Sequence, residues 1–203
     1  MIKIIGLTGP SGAGKTRLCT IAEDYGIKSI DTDAVYHSLL VPPSPCLDEL
    51  VREFGAEILL PDGTLSRPAL SSIVFDEKDI EKVKLARLGE ITHKYVLDRA
   101  REIIKAADGR GERAIIVDAP ALYESGFDRE CDFVICLLAD PSLRLERIID
   151  RDSISKERAD ARINGQKSDE FYSSHADHTL TNNNSPEQLR IELERILSKR
   201  GLI

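Results

Sequence analysis

The 203-residue sequence lacks several features that would place it in other protein classes. It has no apolar run near the ~20 residues that a membrane span requires, and no apolar signal segment with a cleavage site at its N-terminus. It also has no excess of positive charge, since 28 Lys and Arg stand against 35 Asp and Glu, a net charge of −7. We therefore expect a cytoplasmic protein that binds neither membranes nor nucleic acid.

Cysteines at metal-binding or redox spacing are also missing. Cys19, Cys46, Cys131 and Cys136 form no C-x-x-C pair and have no histidines at zinc spacing. Cys131 and Cys136 are predicted to share a strand and to lie on opposite faces of it, because their separation is odd. Buried, reduced thiols are the prediction for all four.

The most informative stretch is a glycine-rich loop near the N-terminus. Gly9 to Thr16 fits the P-loop pattern G-x-x-x-x-G-K-[ST], and it lies between an apolar run and a helical pattern that stops at Gly26. Glycines let backbone N–H groups turn toward an anion, and the helix that follows directs its positive end at phosphates. The pattern therefore predicts binding of a nucleoside triphosphate. The candidate ATP-binding residues are Gly12, Ala13, Gly14, Lys15, Thr16 and Arg17.

Alternating apolar strands and amphipathic helices predict a three-layer α/β/α fold with a parallel sheet. The mostly helical stretch between Asp33 and Asp118 is longer than a simple crossover, so it is interpreted as an insertion. The predicted strands are 2–7, 27–30, 114–118, 131–138 and 178–181. The predicted helices are 15–25, one ending near 40, 47–54, 68–75, about 81–107, 141 to about 150 with the basic stretch as its extension, and one capped by Ser185.

Acidic residues follow two of the predicted strands. Asp31 and Asp33 come after the second strand and Asp118 ends the third, so we expect them to meet the P-loop around one ligand. Asp33 is a candidate base for a hydroxyl proton, and either Asp31 or Asp33 is a candidate Mg²⁺ ligand or helix cap. Asp118 is a candidate Mg²⁺ ligand or strand-end cap. Lys15 suits the β/γ-phosphates, and the Thr16 hydroxyl suits Mg²⁺.

A basic stretch follows the fourth predicted strand, and it has two interpretations. One is a solvated helix face whose charges pair with neighbouring acids at i,i+4 spacing. The other is a lid that grips phosphate. Its positive residues are Arg144, Arg147, Arg151, Lys156, Arg158, Arg162 and Lys167.

Several longer motifs accompany the P-loop, and together they resemble the dephospho-CoA kinase family of P-loop kinases over nearly the whole chain. The D-G-T-L-x-R block and the lid motif are the most specific of them. Two positions depart from the family pattern. This chain has His93-Lys94 where the family usually has H-P, and Pro120-Ala121-Leu122 where the family has P-L-L. The motifs are I-D-T-D at 30–33, F-G-A-E-I at 54–58, D-G-T-L-S-R-P-A-L at 62–70, D-A-P-A-L-Y-E-S-G at 118–126, the lid motif R-D-x-I-S-x-E-x-A-x-x-R-I-x-x-Q at 151–166, and A-D-x-x-L-x-N-N from 176.

The resemblance implies ATP-dependent phosphorylation of the ribose 3′-hydroxyl of dephospho-CoA, the final step of coenzyme A biosynthesis, with Mg²⁺ as cofactor. It implies a single P-loop kinase domain with an inserted helical substrate domain and a helical lid, acting as a monomer or small homo-oligomer. The core is expected at about 1–40, 108–150 and 177–203, the inserted domain at about 41–107 and the lid at about 151–176.

The resemblance also assigns residues. Asp33 becomes the base or hydroxyl orienter, and Arg144 and Arg151 neutralise charge on the transferring phosphoryl group, which their planar forks suit. The implied catalytic residues are Asp33, Lys15, Arg151 and Arg144. The implied substrate-binding residues are Asp33, Arg67, His93, Asp118 and Pro120, although a lone histidine in a helix such as His93 is more often a packing or surface residue. The implied Mg²⁺ ligands are Thr16, Asp118 and Asp31.

Other readings of the P-loop are weaker. A GTPase needs an N-K-x-D motif, and Asn182-Asn183-Asn184 lacks its lysine and aspartate. A transport ATPase needs an L-S-G-G-Q-like signature, which residues 163–166 match poorly. A nucleotide-binding module without catalytic activity would be expected to lack at least one of Lys15, Thr16, Asp33 and Asp118, and all four are present. The nearest alternative is another P-loop kinase that acts on a nucleoside, nucleotide or sugar.

Overall fold

The computed structural model describes residues 1–75 and 82–203. In these ranges it contains five strands and nine α-helices, with short 3-10 helices at Ala56–Ile58 and Phe127–Glu130. The strands are β1 (Lys3–Thr8), β2 (Lys28–Asp31), β3 (Ala114–Asp118), β4 (Phe133–Leu138) and β5 (His178–Thr181). The helices are α1 (Lys15–Glu23), α2 (Thr32–Ser38), α3 (Pro45–Phe54), α4 (Arg67–Val74), α5 (Val83–Gly109), α6 (Pro141–Asp152), α7 (Lys156–Asn164), α8 (Asp169–Ser174) and α9 (Pro186–Lys199).

The strands form one sheet in the order β2-β3-β1-β4-β5. Central β1 pairs in parallel with β3 and β4, and β4 pairs in parallel with β5. Most residues of β1 and β4 are buried, as expected for strands that are covered on both faces. The predicted three-layer α/β/α fold with a parallel sheet is therefore confirmed. The P-loop follows Thr8 at the carboxyl end of β1, the edge where such sheets bind ligands.

The described chain divides into two compact units, residues 1–30 with 104–203, and residues 31–103. In the first unit, side chains of β1 and β4 pack with α1 and α9 in a core that includes Ile5, Ile135 and Leu193. The second unit is helical and has its own core, which includes Leu50 and Ile91. The boundaries expected for the inserted domain and the lid stay a prediction. None of the helices in the described ranges combines the length and apolarity that a membrane crossing needs.

The predicted continuous helix through the basic stretch is wrong. Helix α6 ends at Asp152, and Ser153 adopts a left-handed φ of 51° that breaks the helical path. Ser155 then caps α7 by accepting the backbone N–H of Arg158. Because serine competes for backbone hydrogen bonds at helix ends, the Ser153–Ser155 segment outweighs the helical pattern on either side.

Two strand-based predictions also need correction. Cys131 and Cys136 do not share a strand, because β4 begins only at Phe133; the Cys131 thiol donates to the carbonyl of Phe127. No disulfide joins the four cysteines, which all lie in the described ranges; Cys131 is half-buried and the other three are buried. The predicted start of the long helix near Glu81 lies outside the described residues.

Candidate active site

The P-loop has the backbone shape that its glycines allow. Gly9, Gly12 and Gly14 have φ values of 135°, 79° and 97°, which residues with a side chain rarely adopt. A Cβ atom on Gly9 would lie 2.1 Å from the carbonyl oxygen of Leu137. Both backbone angle and space therefore require glycine at the start of the loop.

Helix α1 begins without a side-chain cap. Its N-cap residue is Gly14, whereas six other helices in the described ranges begin with a Ser or Asp side chain that accepts a backbone N–H. The first turn, Lys15-Thr16-Arg17, has no acidic residue. The backbone N–H of Arg17 donates to the Gly14 carbonyl at 3.0 Å, so the N–H groups of Lys15 and Thr16 and the positive end of the α1 dipole are the ones available to an anion.

Three side chains from outside the P-loop donate hydrogen bonds to its backbone carbonyl groups. Two of them are arginines of α6 and the third is an asparagine at the end of β5. A guanidinium that donates to carbonyl oxygens makes strong, charge-assisted hydrogen bonds. The contacts join Arg144 Nε to Ser11 O at 3.1 Å, Arg147 Nη1 to Gly12 O at 3.2 Å, and Asn182 Nδ2 to Ala13 O at 2.8 Å.

These contacts determine where the backbone N–H groups of the loop point. In a trans peptide the carbonyl and the N–H of the next residue point in opposite directions. Because the carbonyls of Ser11 and Ala13 point at the side chains behind the loop, the N–H groups of Gly12 and Gly14 point away from them. Two of the candidate ATP-binding residues are thus oriented by the protein before a nucleotide is present.

Lys15 bridges the two ends of the loop. Its Nζ donates to the carbonyl oxygen of Gly9 at 3.0 Å. An ammonium on a flexible stem makes no geometrically fixed contact, so it can exchange this carbonyl for a phosphate oxygen.

Asp118 lies at the same sheet edge as the P-loop, as predicted. The strand register pairs it with Leu7 of β1, and the next backbone N–H, that of Ala119, donates to the Leu7 carbonyl at 3.0 Å. Two buried oxygens flank the loop, Thr8 Oγ1 and Asn182 Oδ1, and neither has a hydrogen-bond partner among the described residues. Oxygen atoms of this kind suit Mg²⁺. The described ranges contain no group of three His, Cys, Asp or Glu side chains that could hold a metal ion.

The two acids after the second strand lie in the helical unit. Asp31 Oδ1 accepts the backbone N–H of Ala34 at 3.0 Å and caps α2, one of the alternatives that the sequence left open. Asp33 is exposed in the first turn of α2. It therefore belongs to a helix and not to a strand end. That these acids share a ligand with the P-loop stays a prediction.

The predicted acceptor-binding residues have different local environments. In the helical unit, Arg67 is exposed and its Nη2 donates to His37 Nδ1 at 2.9 Å, while His93 is half-buried on α5. Lys94, which departs from the family pattern, contacts Glu49 Oε2 at 3.2 Å. Pro120, in the other unit, is half-buried after β3. Their roles stay predictions.

The end of α6 and the following helix α7 carry an exposed charge cluster. Arg151 Nε donates to Asp152 Oδ1 at 2.7 Å, and Arg162 donates to the other carboxylate oxygen. The hydrogen bond from Arg151, with that from Arg162 and both positive charges, lowers the pKa of Asp152 to about 2. A carboxylate therefore contacts two guanidinium groups that would suit a phosphate equally well.

Sequence reasoning missed three residues that hold the loop. Arg147 belongs to the basic stretch, but its position in the helical pattern did not distinguish it from the other positive residues there. Asn182 follows β5 at a strand carboxyl end, the same signal that selected Asp118, so that rule would have found it. Gln166 contacts Ser11 across 155 positions of sequence, and no local pattern indicates such a contact.

The parallel sheet, the P-loop after its central strand and the flanking helices define the fold of the P-loop kinases. A solved structure with the same fold is a shikimate kinase from Acinetobacter baumannii in complex with shikimate, with a TM-score of 0.53 and 18% identity, which covers 98% of this chain and 95% of that chain. The dephospho-CoA kinase from Campylobacter jejuni matches with a TM-score of 0.68 and 27% identity, over 99% of this chain and 100% of that one.

The sequence profile of the dephospho-CoA kinase family matches residues 3–188. The dephospho-CoA kinase of Symbiobacterium thermophilum is 35% identical over 193 residues, which are 95% of this chain and 79% of that protein. The chain belongs to the dephospho-CoA kinase family. The family predicted from the motifs is confirmed, and with it the kinase class of transferase; the GTPase and transport ATPase readings are wrong.

Proposed function

We propose that this chain transfers the γ-phosphoryl group of ATP to the ribose 3′-hydroxyl of dephospho-CoA, giving coenzyme A and ADP. The observation that carries the donor side is the P-loop, whose carbonyls are held from behind while α1 begins without a side-chain cap. Family membership supports the acceptor and makes the reaction the final step of coenzyme A biosynthesis.

In the proposed reaction, the 3′-oxygen forms a bond to the γ-phosphorus while the bond to the β,γ-bridging oxygen breaks and ADP leaves with that electron pair. The Asp33 carboxylate accepts the hydroxyl proton. Lys15 Nζ and the backbone N–H groups of Gly12, Gly14, Lys15 and Thr16 bind the β- and γ-phosphates. The N–H groups of Ala13 and Arg17 join them by exchanging the carbonyls of Pro10 and Gly14 for phosphate oxygens. Most of the acceleration would come from alignment and charge neutralisation.

The two predicted catalytic arginines have different parts in this proposal. Arg151 is 58% exposed on its side chain, so it can exchange Asp152 for an oxygen of the transferring phosphoryl group. Arg144 is 4% exposed and bonded to the loop backbone, so it adds positive potential behind the loop. Closure of the lid would exclude water, which otherwise competes with the acceptor.

Mg²⁺ completes the proposed donor site. Thr16 and Asp118 would hold it, with Asp31 as a further ligand through the carboxylate oxygen that does not cap α2. When bound, the ion neutralises charge on the phosphates. Arg67, His93, Asp118 and Pro120 are the proposed acceptor-binding residues, and a cytoplasmic monomer or small homo-oligomer is the proposed form.

The test of the proposal is ADP release by the purified protein with Mg·ATP and one acceptor at a time. Dephospho-CoA is compared with AMP, CMP, adenosine and gluconate, and the product is identified by mass. Release with dephospho-CoA alone and a product of the mass of coenzyme A is the expected result. Release with another acceptor instead would contradict the acceptor and direct attention to Lys94 and Ala121.

A further inference from the structure

Three hydrogen bonds close a ring between the P-loop, α6 and the segment after α7. The backbone N–H of Ser11 donates to Gln166 Oε1 at 3.1 Å, and Arg144 Nη2 donates to the same oxygen at 3.3 Å. Arg144 Nε closes the ring by donating to the Ser11 carbonyl at 3.1 Å. Both backbone polar groups of Ser11 are therefore held by side chains that also hold each other.

The amide oxygen of Gln166 cannot be replaced by an apolar group of the same size. Arg144 is 4% exposed, and a buried guanidinium loses free energy when one of its N–H groups has no acceptor. Its other terminal nitrogen, Nη1, donates to Asp169 at 2.9 Å, so Gln166 supplies the acceptor for Nη2. An amide oxygen has two lone pairs and accepts both donors at once.

The position of Ser11 connects this ring to phosphate binding. The N–H and the carbonyl of Ser11 belong to successive peptide groups, and the second of these groups carries the N–H of Gly12, a candidate ATP ligand. Fixing both groups fixes the direction of that N–H before a nucleotide arrives. A donor that is already oriented costs less free energy to order on binding.

We infer that Gln166 is a positioning residue for the ATP phosphates, which rests on the proposed binding of those phosphates by the P-loop. Its amide oxygen holds Ser11 and Arg144 in the arrangement that the loop requires. Gln166 is the last residue of the motif at 151–166 and lies two residues after α7. The ring therefore also joins the predicted lid to the shape of the P-loop.

Gln166→Met tests this role, because methionine has a similar length and no amide oxygen. The matched control is Gln188→Met, at the only other glutamine in the sequence, whose side chain contacts Glu192 within α9. We expect Gln166→Met to raise the Kd of Mg·ATP about tenfold by calorimetric titration. The KM of the acceptor should change little, the Tm should fall by roughly 2–8 °C because Arg144 Nη2 loses its acceptor, and Gln188→Met should match the parent protein in all three values.

Equal Mg·ATP affinity in Gln166→Met and the parent would overturn the inference. Equal loss of donor and acceptor affinity would also overturn it, since that indicates a merely structural role. Gln166→Asn, whose amide is one methylene short, provides a second variant and should give the same donor-selective loss. Lys15→Ala separates this inference from the proposed function. Normal Mg·ATP binding by Lys15→Ala would contradict the P-loop as phosphate site, whereas loss in Lys15→Ala with no loss in Gln166→Met overturns the role of Gln166 alone.

Discussion

Two pairs of arginines in one stretch of sequence have contrasting environments. The inner arginines, Arg144 and Arg147, donate to carbonyls of the P-loop, and Arg144 is buried. The outer arginines, Arg151 and Arg162, are 58% and 45% exposed and both contact Asp152. Residue type and charge are the same, so the difference lies in the acceptor. Both inner arginines donate to backbone carbonyls of the loop, and Arg144 also donates to Asp169 Oδ1 and Gln166 Oε1. The outer pair contacts an exposed carboxylate, which a phosphate can replace.

The contrast assigns the two pairs to different steps. Hydrogen bonds that exist before the nucleotide arrives affect the free energy of binding, because they orient the loop in advance. Contacts that form only when charge develops on the transferring group affect kcat. The inner pair should therefore govern donor affinity, and the outer pair should govern turnover.

The largest effect is expected at Lys15, which belongs to the loop that the inner arginines contact and whose Nζ donates to the Gly9 carbonyl. Lys15→Ala should lower kcat/KM for ATP at least about 10³-fold, because the charge on the β/γ-phosphates loses its counterion. A coupled ADP-release assay measures this. Lys28→Ala, which removes only a surface contact to Glu112, is the control and should retain activity. Comparable activity in both variants would contradict the donor site.

A second effect is expected at Asp33, outside both arginine pairs. Asp33→Asn should lower kcat about 10²- to 10⁴-fold, because the amide cannot accept the hydroxyl proton. The Kd of Mg·ATP should change little. Asp98→Asn, at an exposed pair with Arg101, is the matched control. Near-normal turnover in Asp33→Asn would remove it from the role of base.

A smaller effect is expected at Arg151, and it sharpens the comparison directly. Arg151→Met should lower kcat about 10- to 100-fold with the KM of the acceptor little changed, since its contact to phosphate forms in the transition state. Arg99→Met removes a guanidinium of similar exposure that pairs with Glu102, and it should be neutral. If the acceptor KM alone rose in Arg151→Met, a transition-state role would be wrong.

The smallest effect is expected at Asp152, whose pKa is lowered from 3.8 to about 2 by the hydrogen bond from Arg151. A carboxylate with a lowered pKa stabilises the fold above pH 3.8, and this stabilisation is lost as the pH falls toward the folded-state value. Asp152→Asn should therefore have a Tm about 1–3 °C below the parent at neutral pH. Thermal unfolding should show that this difference shrinks below about pH 4; a difference that grew there would contradict the ion pair.

Local signals explain what the sequence could predict. The glycines of the P-loop, the apolar strand that ends in Asp118, and the Ser185-Pro186 start of α9 each depend on a few adjacent residues. The alternation of strands and helices then favours a parallel sheet. Because ligands bind at the carboxyl ends of the strands in such sheets, Asp118 is predicted to lie beside the loop. These features were predicted because the physics that determines them acts over short stretches of chain.

Long-range contacts explain what the sequence could not predict. The contacts of Arg144, Gln166 and Asn182 with the loop join residues more than 130 positions apart, so helical spacing alone could not separate the inner from the outer arginines. The break at Ser153 was missed for a related reason, since charged residues on both sides continue a helical pattern. Tertiary contacts and a single left-handed residue outweigh propensity in both places.

The most direct test of this account compares Arg147→Met with Arg151→Met under the same conditions, with Mg·ATP affinity measured by calorimetric titration and kcat at saturating substrates. The account predicts that Arg147→Met raises the Kd of Mg·ATP about tenfold and that Arg151→Met leaves this Kd nearly unchanged while lowering kcat. The reverse pattern, or equal effects on both quantities in both variants, would contradict the division between a pair that shapes the donor site and a pair that acts on the transferring phosphate.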